Sequence, residues 1–308
     1  MAAKKPFVRI RSARPRDLPA CARLCVRSIR DMVRRQGERP PRLRERDLLV
    51  FMRHALVTDP QGFQVAVHRG RIVCVGIAIL REKTHFLAQF FALPGMQSQG
   101  IGRQVLARVF EEPRPPRGSV RTVVASLDHR AQALYLKFGM LPRTIMYTVS
   151  GRPPRAPSVG SIELRQVGPT GRSTKRARDL AARYDTRLRG ARRDQDHRFW
   201  LSVVPGTRFF EARLRGKTVG YVLIRGNGVI GPGGVRDGSL SESLLSAAFA
   251  RAHGLGLKKV SAWIPGLNAG ALGAAFAAGL KVDFVTVWMS AKAIGNLAAY
   301  IPSGGVLF

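Results

Sequence analysis

The chain is 308 residues long and carries 52 lysines and arginines against 19 aspartates and glutamates, a formal net charge of +33 at pH 7. That length suits two domains of about 150 residues each, and no apolar run approaches the roughly 18 residues of a membrane span. Three cysteines (Cys21, Cys25, Cys74) are too few for a disulfide framework and residues 1–15 lack the apolar core of a signal peptide, so a cytoplasmic location without membrane contact is expected.

Residues 7–13 read as a strand, followed by a helix over 17–35 that Asp17 begins and a second helix over 43–56. Cys21 and Cys25 lie four apart on the first helix with no other ligands nearby, which predicts core packing and no metal site. Residues 62–82 form a hairpin turning at His68-Arg69-Gly70-Arg71, and 85–92 are apolar and aromatic, as in a buried strand. Then comes the glycine-rich stretch Leu93-Pro-Gly-Met-Gln-Ser-Gln-Gly100-Ile-Gly102, leading into a helix over 102–112 whose Val105, Leu106, Val109 and Phe110 share one face. Backbone N–H groups at such a strand-to-helix junction point outward without partners, and the helix dipole favours negative charge there, so the junction suits a phosphate. A strand over 120–127, a helix over 129–139 and a strand over 143–150 complete the first half. Residues 151–160 have the Pro, Gly and Arg content of a linker.

The second half repeats this order: strand 161–167, basic helix 173–189, hairpin 208–226, strand 228–234, helix 241–254, strand 258–264, helix 268–279 and strand 281–289. Residues 105–110 align with 244–249 at an offset of 139, and 128–140 with 268–280 at an offset of 140. Two motifs at nearly constant offset indicate a tandem duplication. The expected fold class is α/β with an α+β mixed sheet, arranged as domain 1–150, linker 151–160 and domain 161–308. The apolar end, 295–308, is expected to pack on the body or line a groove.

Gln97-Ser98-Gln99-Gly100-Ile101-Gly102 fits Q/R-x-x-G-x-G/A. Asp128-x-x-Ala131-x-x-Leu134-Tyr135-x-x-x-Gly139 fits N-x-x-A-x-x-L-Y-x-x-x-G-F, with Asp128 for Asn and Met140 for Phe. Together these resemble the GNAT superfamily of acyl-CoA-dependent N-acyltransferases, over residues 7–149 and more weakly over 161–290. The resemblance implies two tandem GNAT domains and transfer of an acetyl group from acetyl-CoA (coenzyme A) to a primary amine in the first. It places the cofactor on the loop, with Gln97, Ser98, Gln99, Gly100, Ile101, Gly102 and Arg103 around the pyrophosphate and Phe91 and Leu93 offering backbone to the pantetheine arm. Asp128, Ala131 and Tyr135 border it, and Tyr135 protonates the leaving thiolate. No carboxylate lies on 84–94, so Glu82 and His85 at the start of that strand, Asp128, or a water chain are the candidates for the base. In the second repeat Gly100 and Gly102 become Ser239 and Ser241, and Tyr135 becomes Ala275, which predicts a frame that has lost catalysis.

The acceptor is expected to be a small-molecule or protein amine, neutral or anionic given the charge, and the chain a monomer or homodimer. Residues 151–220 hold 17 basic and 6 acidic residues. That segment motivates an alternative, a non-enzymatic RNA- or ribosome-associated protein on the same frame, and with it non-specific nucleic-acid binding.

Overall fold

A computed structural model describes residues 7–37, 39–40, 42–157 and 160–308. Residues 1–6 and positions 158–159 of the expected linker lie outside the described residues. The chain divides into two compact units, one of Met1–Val123 with Asp128–Phe138, the other of Val124–Leu127 with Gly139–Phe308.

In the first unit β1 (Arg9–Ser12), β2 (Phe63–His68), β3 (Arg71–Arg81) and β4 (Thr84–Ala92) run antiparallel in chain order. β5 (Val120–Ala125) pairs parallel with β4. Helix α1 (Leu18–Arg35) turns a face containing Cys21, Ala22, Cys25 and Val26 inward, and its Ser28 Oγ donates to Ala92 O at 3.0 Å. Burial pushes the Cys21 and Cys74 thiols up to about 12, so they pack as small apolar groups. Helix α2 (Glu45–Thr58) ends beside Asp59, whose carboxylate receives Leu80 N at 2.9 Å and the buried Arg81 guanidinium at 2.9 and 3.1 Å. Helix α3 (Ile101–Glu111) covers β2 and β3 with Val105, Leu106, Val109 and Phe110, all buried. It approaches so closely because β3 has Gly76 beneath it. A Cβ there would stand 2.9 Å from both Val105 Cγ1 and Val109 Cγ1. Helix α4 (His129–Lys137) comes after β5, and Asp128 caps it by accepting Arg130 N at 2.9 Å.

The second unit begins with a strand that the repeat pattern assigns to the first. β6 (Leu141–Gly151) pairs antiparallel with both β11 (Val260–Pro265) and β12 (Lys281–Ser290). The compact units therefore part near 138/139 and not at the expected 150/151. The reason is physical: both edges of β6 are hydrogen-bonded within the second unit. From β11 the sheet continues through β10 (Val229–Val235), β9 (Lys217–Ile224), β8 (Arg208–Leu214) and β7 (Glu163–Gln166). Helices α5 (Lys175–Arg189), α7 (Ser241–Gly254) and α8 (Ala269–Ala277) agree with the repeat. Two elements have no counterpart among those expected from the sequence: α6 (Asp194–Ser202) and the short β13 (Tyr300–Ile301).

Part of the positive charge lies inside this unit. Asp185 on α5 accepts from Arg193 Nε at 2.8 Å, His197 Nε2 at 2.8 Å and Tyr221 Oη, all fully buried. Burial alone would raise the Asp185 carboxyl, but Arg193 and His197 outweigh it and hold it below the carboxylate range. The basic helix α5 thus buries both Asp185 and Arg189 while Lys175, Arg176, Arg183 and Arg187 stay exposed.

Replacing Gly76 by Val should push α3 off the sheet and destabilise the first unit by about 1–3 kcal/mol, the usual cost of overpacking. The check is thermal unfolding followed by circular dichroism, with Gly254→Val as a control, since Gly254 has no left-handed φ and a Cβ there meets nothing within 4 Å.

Candidate functional site

Strands β4 and β5 run together only briefly. Their pairing joins Thr84–Leu87 to Val120–Val123, while β4 continues through Ala92. At the parting point β4 bulges: Ile77 faces Gln89 but Ala78 faces Leu87, so Ala88 is the extra residue. The far half of β4 therefore keeps its bonds to β3 and turns its other edge to open space.

The loop continues this edge. Leu93 N donates to Val73 O at 2.9 Å, Met96 N to Leu93 O at 3.0 Å, and Gly100 caps α3 with φ +81. Gly95 and Ser98 also take left-handed φ, at +84 and +61. The Gln97 amide donates to Ala92 O at 3.3 Å and the Gln99 amide to Gly95 O at 2.9 Å, so both glutamines brace the loop. The first helical bond is Gln104 N to Gly100 O, which leaves the preceding N–H groups of Ile101, Gly102 and Arg103 at the positive end of α3. A Cβ on Gly100 would meet nothing within 4 Å, so the space before this helix end is open. Ile101 is buried and anchors the turn, whereas Arg103 is exposed.

Phe90 joins the parts. A Cβ on Gly102 would lie 3.0 Å from Phe90 Cζ and 3.7 Å from Leu134 Cδ2, and the Phe90 ring meets that of Tyr135 edge-on at 6.2 Å. Tyr135 is 5% exposed, and its hydroxyl forms no hydrogen bond among the described residues. The hydroxyl oxygen is not among the fully enclosed polar atoms that lack a partner, so it can meet a ligand that enters from solvent. Burial, reinforced by Asp128 and Cys74, raises its pKa far above the ordinary value and keeps it protonated. Asp128 is held by Arg130 Nη2 at 2.8 Å and Arg35 Nη1 at 3.5 Å beside its cap, with Ala131 in the first turn above it. Those bonds make Asp128 a brace for α4.

The structure does not bring His85 and Glu82 to this place. Both sit at the opposite end of β4, seven or more residues from Ala92, or about 23 Å at 3.3 Å per residue. His85 is fully buried with its ring edge-on to Phe110 at 5.0 Å and neither ring nitrogen bonded. Burial, with Arg121 nearby, lowers its pKa to about 4, so it is a neutral core residue and not a base. Glu82 lies exposed in the β3–β4 turn at φ +49.

The backbone assignment also changes by one residue. Because Leu93 N is donated to Val73 O, strand alternation turns Phe91 and Leu93 toward β3, and Phe90 and Ala92 toward the open edge. Gln89 is a polar residue of β4 that the sequence does not announce, and it faces α1. It is 5% exposed, lies just beyond the bulge, and accepts a weak bond from Cys25 Sγ at 4.0 Å. An amide within an aromatic run carries no catalytic signal in the sequence, and only the bulge singles it out.

The same unit holds a cavity of about 530 Å³ lined by Arg11, Arg16, Arg23, Arg27 and Arg71, with Leu24, Ile72 and Leu93. Its one carboxylate, Asp17, is tied bidentately to Arg11 at 2.6 and 3.0 Å. An anion entering it meets four further guanidinium groups.

Residues 26–140 match the family model of the GNAT acetyltransferases. This segment is a GNAT acetyltransferase domain. It contains β4, the glycine loop, α3 and α4. No curated protein matches the chain. Among solved structures, a candidate acetyltransferase from Pyrococcus horikoshii aligns with 100% of this chain and 99% of its own at 17% identity and TM-score 0.74. A GCN5-related N-acetyltransferase from Sphaerobacter thermophilus aligns with 94% and 98% at 18% identity and TM-score 0.63. A tandem GNAT protein from the clavulanic acid biosynthesis pathway aligns with 93% and 99% at 18% identity and TM-score 0.58. At these identities the likeness is one of fold, and it extends over both units. Among the described residues no helix is long and apolar enough to cross a membrane.

The position of His85 makes a pH prediction. A histidine neutral in the fold but titrating at about 6.5 when unfolded binds a proton preferentially in the unfolded chain, so stability falls as pH drops from about 6.5 toward 4. His85→Phe should flatten the dependence of Tm on pH in that window and leave acyl transfer intact. Loss of transfer in this variant would restore His85 as a candidate base.

Proposed function

We propose that the first unit transfers the acetyl group of acetyl-CoA to a primary amine, directly and without an acyl-enzyme. The observation that carries this reading is the convergence, through Phe90, of the open β4 edge, the Gly100-capped end of α3 and the unpartnered Tyr135 hydroxyl. These residues fit the cofactor. The N–H groups at the start of α3 and the Arg103 guanidinium would hold its phosphates, and the backbone of Phe90 with the Ala92 N–H would orient its arm as an added strand does, the Ala92 carbonyl already accepting from Ser28 and Gln97. When bound, acetyl-CoA supplies the acyl group as a thioester.

Tyr135 Oη presents a proton toward the departing sulfur. Its raised pKa keeps that proton in place until the sulfur becomes basic, so it acts first as a hydrogen-bond donor to developing charge. A water removes the proton of the incoming amine. Neither the neutral, distant His85 nor the solvated Glu82 takes part. The arginine-lined cavity favours an acceptor that is neutral or anionic over a polycationic one.

That same cavity supports polyanion affinity, and with it the alternative of an RNA-associated protein. The alternative gives Tyr135 no task, and α5, which motivated it, buries part of its charge. One variant separates the two readings. Tyr135→Phe removes an oxygen that has no partner in the fold, so it should leave stability and polyanion binding unchanged. It should lower kcat by about 10²–10⁴-fold with little change in KM for acetyl-CoA, the span of a lost general-acid contribution. An unchanged kcat rejects the role given to Tyr135.

Calorimetric titration of acetyl-CoA at about 0.3 M salt, where exposed phosphate attraction is screened, should show one site per chain. Gly100→Val should abolish that binding and Ser239→Val should leave it.

A further inference from the structure

We propose that the second unit's counterpart of the cofactor cleft is a peptide-holding cleft, filled by the chain's own residues 296–302, so that each chain has a single acyl-CoA site. This rests on the acyltransferase reading of the first unit and extends it to the second.

In the repeat β10 corresponds to β4, α7 to α3 and α8 to α4. β10 also pairs only briefly with its parallel neighbour, Val229 and Ile230 facing Ser261 and Ala262 of β11. Beyond that point its other edge remains bonded to β9. In the gap that β11 leaves lies β13, whose Ile301 and Tyr300 pair antiparallel with Gly233 and Gly234 and which also packs on β11. An extended segment thus adds to the open edge where the first unit would take a pantetheine arm.

Two motif positions of the second repeat hold this segment, Ser241 departing from the motif's glycine and Asn268 keeping its asparagine. Ser241, aligned with Gly102, donates through Oγ to Ala298 O at 3.2 Å. Asn268, aligned with Asp128, caps α8 through Oδ1 to Ala271 N at 3.1 Å and donates through Nδ2 to Tyr300 O at 3.2 Å. The glycines beside them make room for peptide backbone and not for phosphate. A Cβ on Gly231 would stand 2.3 Å from Pro302 O, and one on Gly234 2.5 Å from Ala299 O.

Arginines fasten the segment from behind. Arg193 Nη2 donates to Tyr300 Oη at 2.6 Å and Arg225 Nη2 to Ser303 O at 2.9 Å, Arg193 being buried and Arg225 half-buried. Releasing the segment would strip these cations of their partners, a strongly unfavourable change. The occupant is therefore permanent, and the change from Gly102 to Ser241 marks a cleft rebuilt around it.

The test is hydrogen–deuterium exchange of the full chain read by mass spectrometry, with acetyl-CoA as the probe. In the free protein, amides of 297–301 should exchange at least ~100-fold more slowly than an unstructured chain, as interior strands do. Saturating acetyl-CoA should slow exchange at 97–104 and leave 297–301 unchanged. Ser241→Gly combined with Asn268→Ala, which removes two hydrogen bonds, should speed exchange at 297–301 by about 10-fold. Ser241→Gly alone, which leaves the cap of α8 intact, should give a smaller increase in the same segment. Free-chain exchange at 297–301 in the wild type, faster exchange there on adding acetyl-CoA, a second bound equivalent, or no response to either variant would each overturn the proposal. If acetyl-CoA binds nowhere, the acyltransferase reading fails, while exchange in the free protein and its variants still decides what fills the second cleft.

Discussion

The parting of two parallel strands governs both halves of this molecule. A parallel neighbour that leaves after a few residues exposes a row of backbone N–H and C=O groups in the middle of a sheet, and such groups must find partners. In the first unit β4 parts from β5 after Leu87, helped by the bulge at Ala88, and its edge leads into the glycine-rich loop before α3. In the second unit β10 parts from β11 after Ile230, and residues of the chain itself complete the ladder. One constraint, met by two kinds of partner, separates a site from a scaffold.

The charge of the protein divides between two settings that composition cannot distinguish. In the second unit the buried Arg189 and Arg193 and the half-buried Arg225 organise Asp185, Tyr221, Tyr300 and the backbone of the last residues. In the first unit Arg16, Arg23, Arg27 and Arg71 are exposed around a cavity and keep their full field for molecules in solution. The exposed arginines bear on what the protein attracts, and the second unit adds Arg176, Arg183, Arg187 and Arg198 to them. The net charge of +33 therefore overstates the surface potential, and the buried arginines act as hydrogen-bond donors that shape a core.

Much of the candidate site was legible in the chain because its physics is local. Gly100 needs a left-handed φ to cap α3, and Gly139 and Gly279 need one to leave their helices, at +77 and +72. Asp128 and Asn268 cap the helices that begin at the very next residue. Residues that sit close in sequence and obey helix-end rules leave a motif. His85 and Glu82 failed as candidates because nearness to the strand is not nearness to the loop. A strand of nine residues carries its two ends to opposite edges of a sheet. Gln89 and Phe90 were invisible for the converse reason, since an amide and a phenylalanine acquire meaning only from the bulge, Cys25, Gly102 and Tyr135 around them.

By itself, then, the sequence determined the duplicated frame, the glycine-capped helix end, a tyrosine at a fixed motif position and the replacement of these glycines and that tyrosine in the second copy. Each depends on a residue type at a fixed short spacing. Tertiary structure alone decided that β6 joins the second unit, that Asp185 gathers three buried donors, and that residues 296–302 lie along β10. Those outcomes depend on which strand edges and buried charges lack partners once the sheet has formed, and hydrogen-bond satisfaction between residues distant in the chain leaves no periodic trace.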